Sequence, residues 1–207
     1  MTQTAINSGG DVAGLAAIIS RASEQKGDGT RKPAPVERWN PAFCGDLDME
    51  IRADGTWFYM GTPIGRMPLV QLFASVLRKD EDGKTYLVTP VEKVGIRVAD
   101  AHFLAVELAV SHEAEEQVIT LRTNLGDLVT VGKDNPLRFA IEGDDKQLKP
   151  YVLVRGRLEA LVTRALTYDL VALGEVVQID NVDMFVLKSG GEIFPIMRAD
   201  ELDALSP

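Results

Sequence analysis

Two arginine-bearing corners offer this chain its clearest chemistry. Each is a Gly-Arg pair that ends an extended stretch and precedes an apolar pattern of helical spacing. The first reads Pro63-Ile64-Gly65-Arg66-Met67-Pro68-Leu69-Val70, and the second Val152-Leu153-Val154-Arg155-Gly156-Arg157-Leu158-Glu159. A helix start exposes unpaired N–H groups and a partial positive charge, so a guanidinium beside it makes a corner suited to an oxyanion. Lys93 would add charge, and Tyr151 or Trp57 a ring face for stacking. The candidate ligand-binding residues are Arg66, Lys93, Tyr151, Arg155 and Arg157, and the expected ligand is a small anion. The plainer reading is that these cations only pair with acids of the fold.

Residue types suited to catalysis are sparse. The single cysteine is Cys44, and the two histidines are His102 and His112. A nucleophilic thiol needs a base and a lowered pKa, and nothing near Cys44 in sequence supplies either. The preferred reading is a small, buried, inert side chain. Asp46 and Asp48 would share one face of a strand and could work as an acid–base pair, although a solvated edge strand explains them more simply. No HxxxH, CxxC or HExxH spacing occurs, so no metal and no cofactor are expected. The glycines of Gly61-Thr62-Pro63-Ile64-Gly65 lack the lysine of a phosphate loop. Trp57-Phe58-Tyr59 reads as core and interface packing before it reads as a stacking platform.

The elements that would position these groups follow from apolar period and turn residues. Asp11 would cap a helix through about Gln25, with Val12, Leu15, Ala16 and Ile19 on one face, followed by a Gly- and Pro-rich linker to Pro35. Asp46–Arg52 and Thr56–Met60 read as a strand pair, and Met67–Lys79 as an amphipathic helix with Pro68 in its first turn. Strands are expected at 85–89 and 94–98. A strand-rich run follows over 103–110, 117–123, 128–131 and 137–141. Tyr151–Val154 then leads into a second helix over about 158–173, with a stripe of Leu158, Leu161, Val162, Ala165 and Leu166. Closing strands fall at 175–179, 184–187 and 193–196.

Composition bounds the rest. The 207 residues carry a formal net charge of −9, with 45% hydrophobic and 26% charged residues, which is ordinary for a globular protein. Residues 1–100 hold 12 Lys+Arg against 13 Asp+Glu, and the remainder 10 against 18, so the acid sits in the second half. An acidic surface disfavours a nucleic-acid backbone footprint and an anionic membrane. One cysteine fits a reducing compartment, and the N-terminus shows no signal-peptide pattern, so a cytoplasmic protein is expected.

Longer strings also carry a resemblance. Pro35-Val36-Glu37-Arg38-Trp39-Asn40-Pro41, Phe43-Cys44-Gly45-Asp46-Leu47-Asp48-Met49, Asp54-Gly55-Thr56-Trp57-Phe58-Tyr59, Val88-Thr89-Pro90-Val91-Glu92-Lys93-Val94 and Tyr151-Val152-Leu153-Val154-Arg155-Gly156 are similar to the bacterial family catalogued as domain of unknown function 1285. The resemblance spans about Pro35 to Pro195. It implies a two-domain α+β fold with repeated motifs, a cleft between the domains, a nucleotide-like ligand and a role in signalling. It carries over no catalytic residues.

The expected architecture is α+β. An N-terminal helix and linker occupy 1–35, a first domain 36–98, a second, strand-rich domain 99–200, and a tail 201–207. Each domain should be a mainly antiparallel curved sheet with one packed helix. The expected function is non-catalytic binding of a small anionic, nucleotide-like or phosphorylated molecule between the domains. The alternatives are a hydrolase using Cys44 or Asp46/Asp48, and an interaction module with a protein partner or a homo-oligomer.

Overall fold

A computed structural model describes residues 34–113, 116–143 and 147–202. The helix expected at 11–25 and the tail beyond Leu202 lie outside them. The chain divides into two compact units, the first ending at Ala99 and the second beginning at Asp100. The first holds one mainly antiparallel sheet and the second two, each unit with short helices, in keeping with an α+β plan.

In the first unit the strands are β1 (Phe43–Ile51), β2 (Trp57–Tyr59), β3 (Thr62–Pro63), β4 (Leu77–Lys79), β5 (Thr85–Val88) and β6 (Lys93–Val98), with helix α1 (Met67–Ala74) between β3 and β4. Their spatial order is β3-β2-β1-β6-β5-β4, and β1 and β6 run parallel at the centre. Alternation along β1 buries Met49 and Ile51 and leaves Asp46 and Asp48 exposed. Val70, Phe73 and Ala74 of α1 pack inward, and Phe73 stacks on the fully buried Trp57 at 6.3 Å between ring centroids. Burying aromatic rings of this size stabilises the sheet–helix contact by about 1.5–3 kcal/mol each. Among the described residues the Nε1 of Trp57 has no hydrogen-bond partner, so stacking rather than polar bonding holds that ring there.

The second unit repeats the sheet plan. Strands β7 (Phe103–Glu113), β8 (Glu116–Thr123), β9 (Leu128–Thr130), β10 (Leu137–Glu142), β11 (Gln147–Arg155) and β12 (Leu158–Val162) lie in the order β10-β11-β12-β7-β8-β9. β7 and β12 are the parallel central pair. Numbered from the first strand of each unit, both sheets read 3-2-1-6-5-4. The repeat in this chain is therefore two three-stranded meanders joined along one parallel seam. Helix α2 (Arg164–Ala172) follows, then a separate three-stranded sheet of β13 (Glu175–Ile179), β14 (Val182–Ser189) and β15 (Glu192–Arg198), and a one-turn helix α3 (Ala199–Leu202). Ser189 ties this small sheet to the large one. Its buried hydroxyl accepts from the Ile119 N–H at 2.9 Å and donates to the Val131 carbonyl at 2.8 Å. At the α2–β13 junction only a glycine fits, because a Cβ on Gly174 would strike the Phe185 ring.

Two helix boundaries differ from expectation. α1 stops at Ala74, because the Ser75 hydroxyl bonds the Leu72 carbonyl and the chain turns into β4. The second helix starts at Arg164 rather than near Leu158. The run Leu158-Glu159-Ala160-Leu161-Val162 fits helical spacing at 158, 161 and 162, but it also alternates, and the alternation prevails. Leu158, Ala160 and Val162 are buried while Glu159 and Leu161 are half-buried. In consequence Arg155-Gly156-Arg157 forms the β11–β12 hairpin turn, with Gly156 at φ 53°, and is no helix start.

Candidate functional site

The two corners part company at this level. At the first, Arg66 is the N-cap of α1, extended at φ −92° and ψ 99°, with its carbonyl accepting from the Leu69 and Val70 N–H groups. No side chain caps this end and the first turn holds no acid. Gly65, Arg66, Met67 and Pro68 are all exposed, and a Cβ on Gly65 would meet nothing within 4 Å. The corner is open, positively polarised and uncovered among the described residues.

At the second corner the arginine is already spoken for. The Arg155 guanidinium donates to the Asp127 carboxylate at 2.8 Å and lies 4.9 Å from the centre of the Phe103 ring. Burial pulls its pKa below the ordinary value, against the pull of Asp127. Arg157 is exposed in the turn. Lys93, at the start of β6, bonds Asp80 at 3.2 Å and sits 4.6 Å above the Tyr86 ring. Arg66 and Lys93 thus belong to the first unit, and Tyr151, Arg155 and Arg157 to the second.

The two ring faces proposed for stacking are occupied. Trp57 is 1% exposed and lies against Phe73. Tyr151 is 3% exposed, and the Arg138 guanidinium covers it at 3.9 Å. What sequence reading missed is a shared device on the fifth strand of each sheet. Tyr86 on β5 donates its hydroxyl to Asp82 at 2.6 Å under the Lys93 ammonium. Tyr151 on β11 donates to Asp100 at 2.7 Å under Arg138. The bond to Asp82, with burial, pushes the Tyr86 hydroxyl up to about 12, and burial with the bond to Asp100 does the same for Tyr151. Both therefore stay protonated donors at neutral pH. Asp100 also accepts from Lys149 at 2.7 Å, and Arg138 makes a two-pronged pair with Glu159 at 2.6 and 2.7 Å. The only signal in the sequence for these clusters is the recurrence of Tyr with Asp and a cation, and their separations reach 51 residues.

The catalytic alternatives gain little. Cys44 is exposed, which overturns the expectation of a buried thiol: it lies on β1 outside the core, and its thiol donates to the Ala42 carbonyl at 3.4 Å. Residues 1–99 contain no histidine. Asp48 is paired with Arg97 at 2.7 Å, and the Asp46 carboxylate lies over Gly95, where a Cβ would collide with it. No group of three or more His, Cys, Asp or Glu is arranged to hold a metal among the described residues. Since Cys44 is exposed, Cys44→Ser should change unfolding free energy by no more than about 0.5 kcal/mol. Denaturant melts of the two proteins check this, and a larger loss would mean the thiol is packed.

A cleft of about 550 Å³ opens in the second unit beside β8 and the three-stranded sheet. Glu116, Glu175 and Glu192 line it, and its Lys188 is paired with Glu175 at 2.7 Å. Its charge is wrong for an anion.

The family models match in two blocks. The domain of unknown function (DUF1285) N-terminal model covers residues 34–101, and the protein of unknown function (DUF1285) C-terminal model covers 102–196. The chain belongs to the DUF1285 family. Among solved structures it is similar to a DUF1285 family protein from Silicibacter pomeroyi DSS-3, with 47% identity and a TM-score of 0.80 over 93% of this chain and 98% of that one. A DUF1285 family protein from Shewanella baltica OS155 matches at 28% identity and a TM-score of 0.47, over 60% of this chain and 90% of that one. No curated protein matches. The DUF1285 models meet at 101/102, beside the Ala99/Asp100 division of the two units. No helix among the described residues is long and apolar enough to cross a membrane.

Proposed function

We propose that this DUF1285 protein is a non-catalytic binding protein for a small anionic molecule, nucleotide-like or phosphorylated, with a signalling role in the cytoplasm. The observation that carries the reading is the open start of α1. An uncapped helix end, an exposed Arg66 and an adjacent Gly65 offer N–H and guanidinium donors to one oxyanion. Lys93 and Arg155 are held by carboxylates, so the charge that meets the ligand is assigned to Arg66. Helix-end effects are individually small, about 0.3–1 kcal/mol when exposed. A bare phosphate should therefore bind only at about millimolar strength, and a larger ligand must find further contacts.

Thermal shift against a panel of nucleotides and phosphorylated metabolites tests the proposal. A ligand at about 100 times its Kd stabilises the native state by roughly 2.7 kcal/mol. Wild type should show a dose-dependent rise in Tm that Arg66→Ala abolishes. Arg155→Ala should instead lower the Tm of the unliganded protein, because it takes from Asp127 the cation it is paired with, and should leave the ligand response in place. An Arg66→Ala protein that responds like wild type would end this reading. A second reading, an interaction module, is favoured by one exposed strand of the second unit.

A further inference from the structure

A buried carboxylate oxygen that accepts no hydrogen bond is costly, so folded chains bring a donor to it. Glu92 has such an oxygen. Its Oε2 is buried and meets no donor among the described residues. The backbone around it is fixed. The Thr89 N–H donates to the Glu92 carbonyl at 2.9 Å, and the Glu92 N–H donates to the Thr89 hydroxyl at 3.0 Å. Lys93, the next residue, is turned away to Asp80 at 3.2 Å.

The path of the chain itself brings a donor within reach. Residues 34–39 run beside β4 in the same direction. The Ala34 N–H donates to the Ser75 carbonyl at 3.2 Å, and Arg78 donates to the carbonyls of Val36 at 2.9 Å and Trp39 at 2.7 Å. Ser75 stands at the end of the sheet where β5 gives way to the turn at 89–92, because the Val88 N–H donates to the neighbouring Val76 carbonyl at 2.9 Å. Traced backwards from Ala34, the chain therefore leaves the sheet at the end that holds Glu92. Its next residues are Pro33, Lys32 and Arg31, and the latter two are the only cations between Lys26 and Arg38. Three residues of extended chain span about 10 Å, and a long basic side chain adds to that reach.

We propose that Arg31-Lys32 docks on the turn at 89–92 and that its positive charge is the missing partner of Glu92. The occupant of this surface is thus a segment of the same chain. By this contact the first unit carries the stretch at 11–25 that the sequence marks as amphipathic.

Urea unfolding of the full chain in a double-mutant cycle tests the pairing. Arg31→Ala with Lys32→Ala should lower the folding equilibrium constant roughly tenfold, because it leaves the Glu92 oxygen without a donor. The same two changes made in Glu92→Gln should cost almost nothing further. Trypsin locates the contact, since cleavage of a docked segment follows the population of its undocked form. Glu92→Gln should speed the cut after Arg31 roughly tenfold and leave the cut after Lys26, further from the turn, unchanged. Equal losses in the two backgrounds, or a cut after Arg31 that ignores Glu92, would overturn the inference. So would a loss in Glu92→Gln that Arg31→Ala with Lys32→Ala does not share, since the oxygen would then belong to another donor.

Discussion

Replacing Arg78 with alanine is expected to destabilise the protein by about 3–5 kcal/mol, the usual cost of stripping one partner from a buried ion pair. Arg78 is 8% exposed and its guanidinium serves four acceptors. It donates to both Asp80 oxygens at 2.6 and 3.2 Å and to the carbonyls of Val36 at 2.9 Å and Trp39 at 2.7 Å. Its loss frees the 36–39 segment from β4 and leaves Asp80 with Lys93 alone. Arg78→Lys should recover little, since one ammonium cannot span a planar four-point array. Urea melts give the size of the loss. A proteolytic nick near Trp39 in Arg78→Ala, absent in wild type, would locate it. A loss below about 1 kcal/mol would place the pair among exposed ones and refute the argument.

Asp100→Ala should cost about 2–3 kcal/mol at pH 7, because it leaves the buried Tyr151 hydroxyl without its acceptor and takes a partner from Lys149. This contribution depends on pH in a defined direction. Burial alone would raise the Asp100 carboxyl, but the bonds from Lys149 and Tyr151 outweigh it and hold the group below its ordinary value. A carboxyl depressed in the folded state adds stability that is complete above its unfolded pKa, about 3.9, and drains away as pH falls through the folded value. The stability difference between wild type and Asp100→Asn should therefore be constant from pH 7 to about 5 and shrink below about 4. Melts across that range check it. A difference that grows on acidification would reverse the assigned shift.

Strands proved more legible than helices, for physical reasons. Glu175–Ile179 was expected over those very residues, because β-branched side chains stand between a glycine and an Asp-Asn turn. That turn joins β13 to β14 with Asp180 and Asn181 both at positive φ, the conformation such residues tolerate. Leu158–Val162 was misread because five apolar-rich residues satisfy two periods at once, and only the neighbouring strands decide between them. The duplication is present in the sequence, but the Gly-Arg pairs do not mark it. In the first unit the helix lies between the third and fourth strands, and in the second it follows the sixth, so the two Gly-Arg pairs hold different places in a common sheet plan. That the cations pair with acids is a reading the sequence allows, but which acid meets which cation is not written in it. Arg155 and Asp127 stand 28 residues apart, and Arg97 and Asp48 49, distances at which no local pattern links a cation to its partner.

The central claim is that an oxyanion binds at the open start of α1, and amide NMR at that site tests it most directly. Inorganic phosphate titrated into the ¹⁵N-labelled full chain should produce saturable shifts of the Met67 and Arg66 N–H signals. Those shifts should vanish in Arg66→Ala, while the signals around Arg155 stay in place. Phosphate that leaves the Met67 amide unmoved, or moves it equally with and without the Arg66 side chain, would contradict the account.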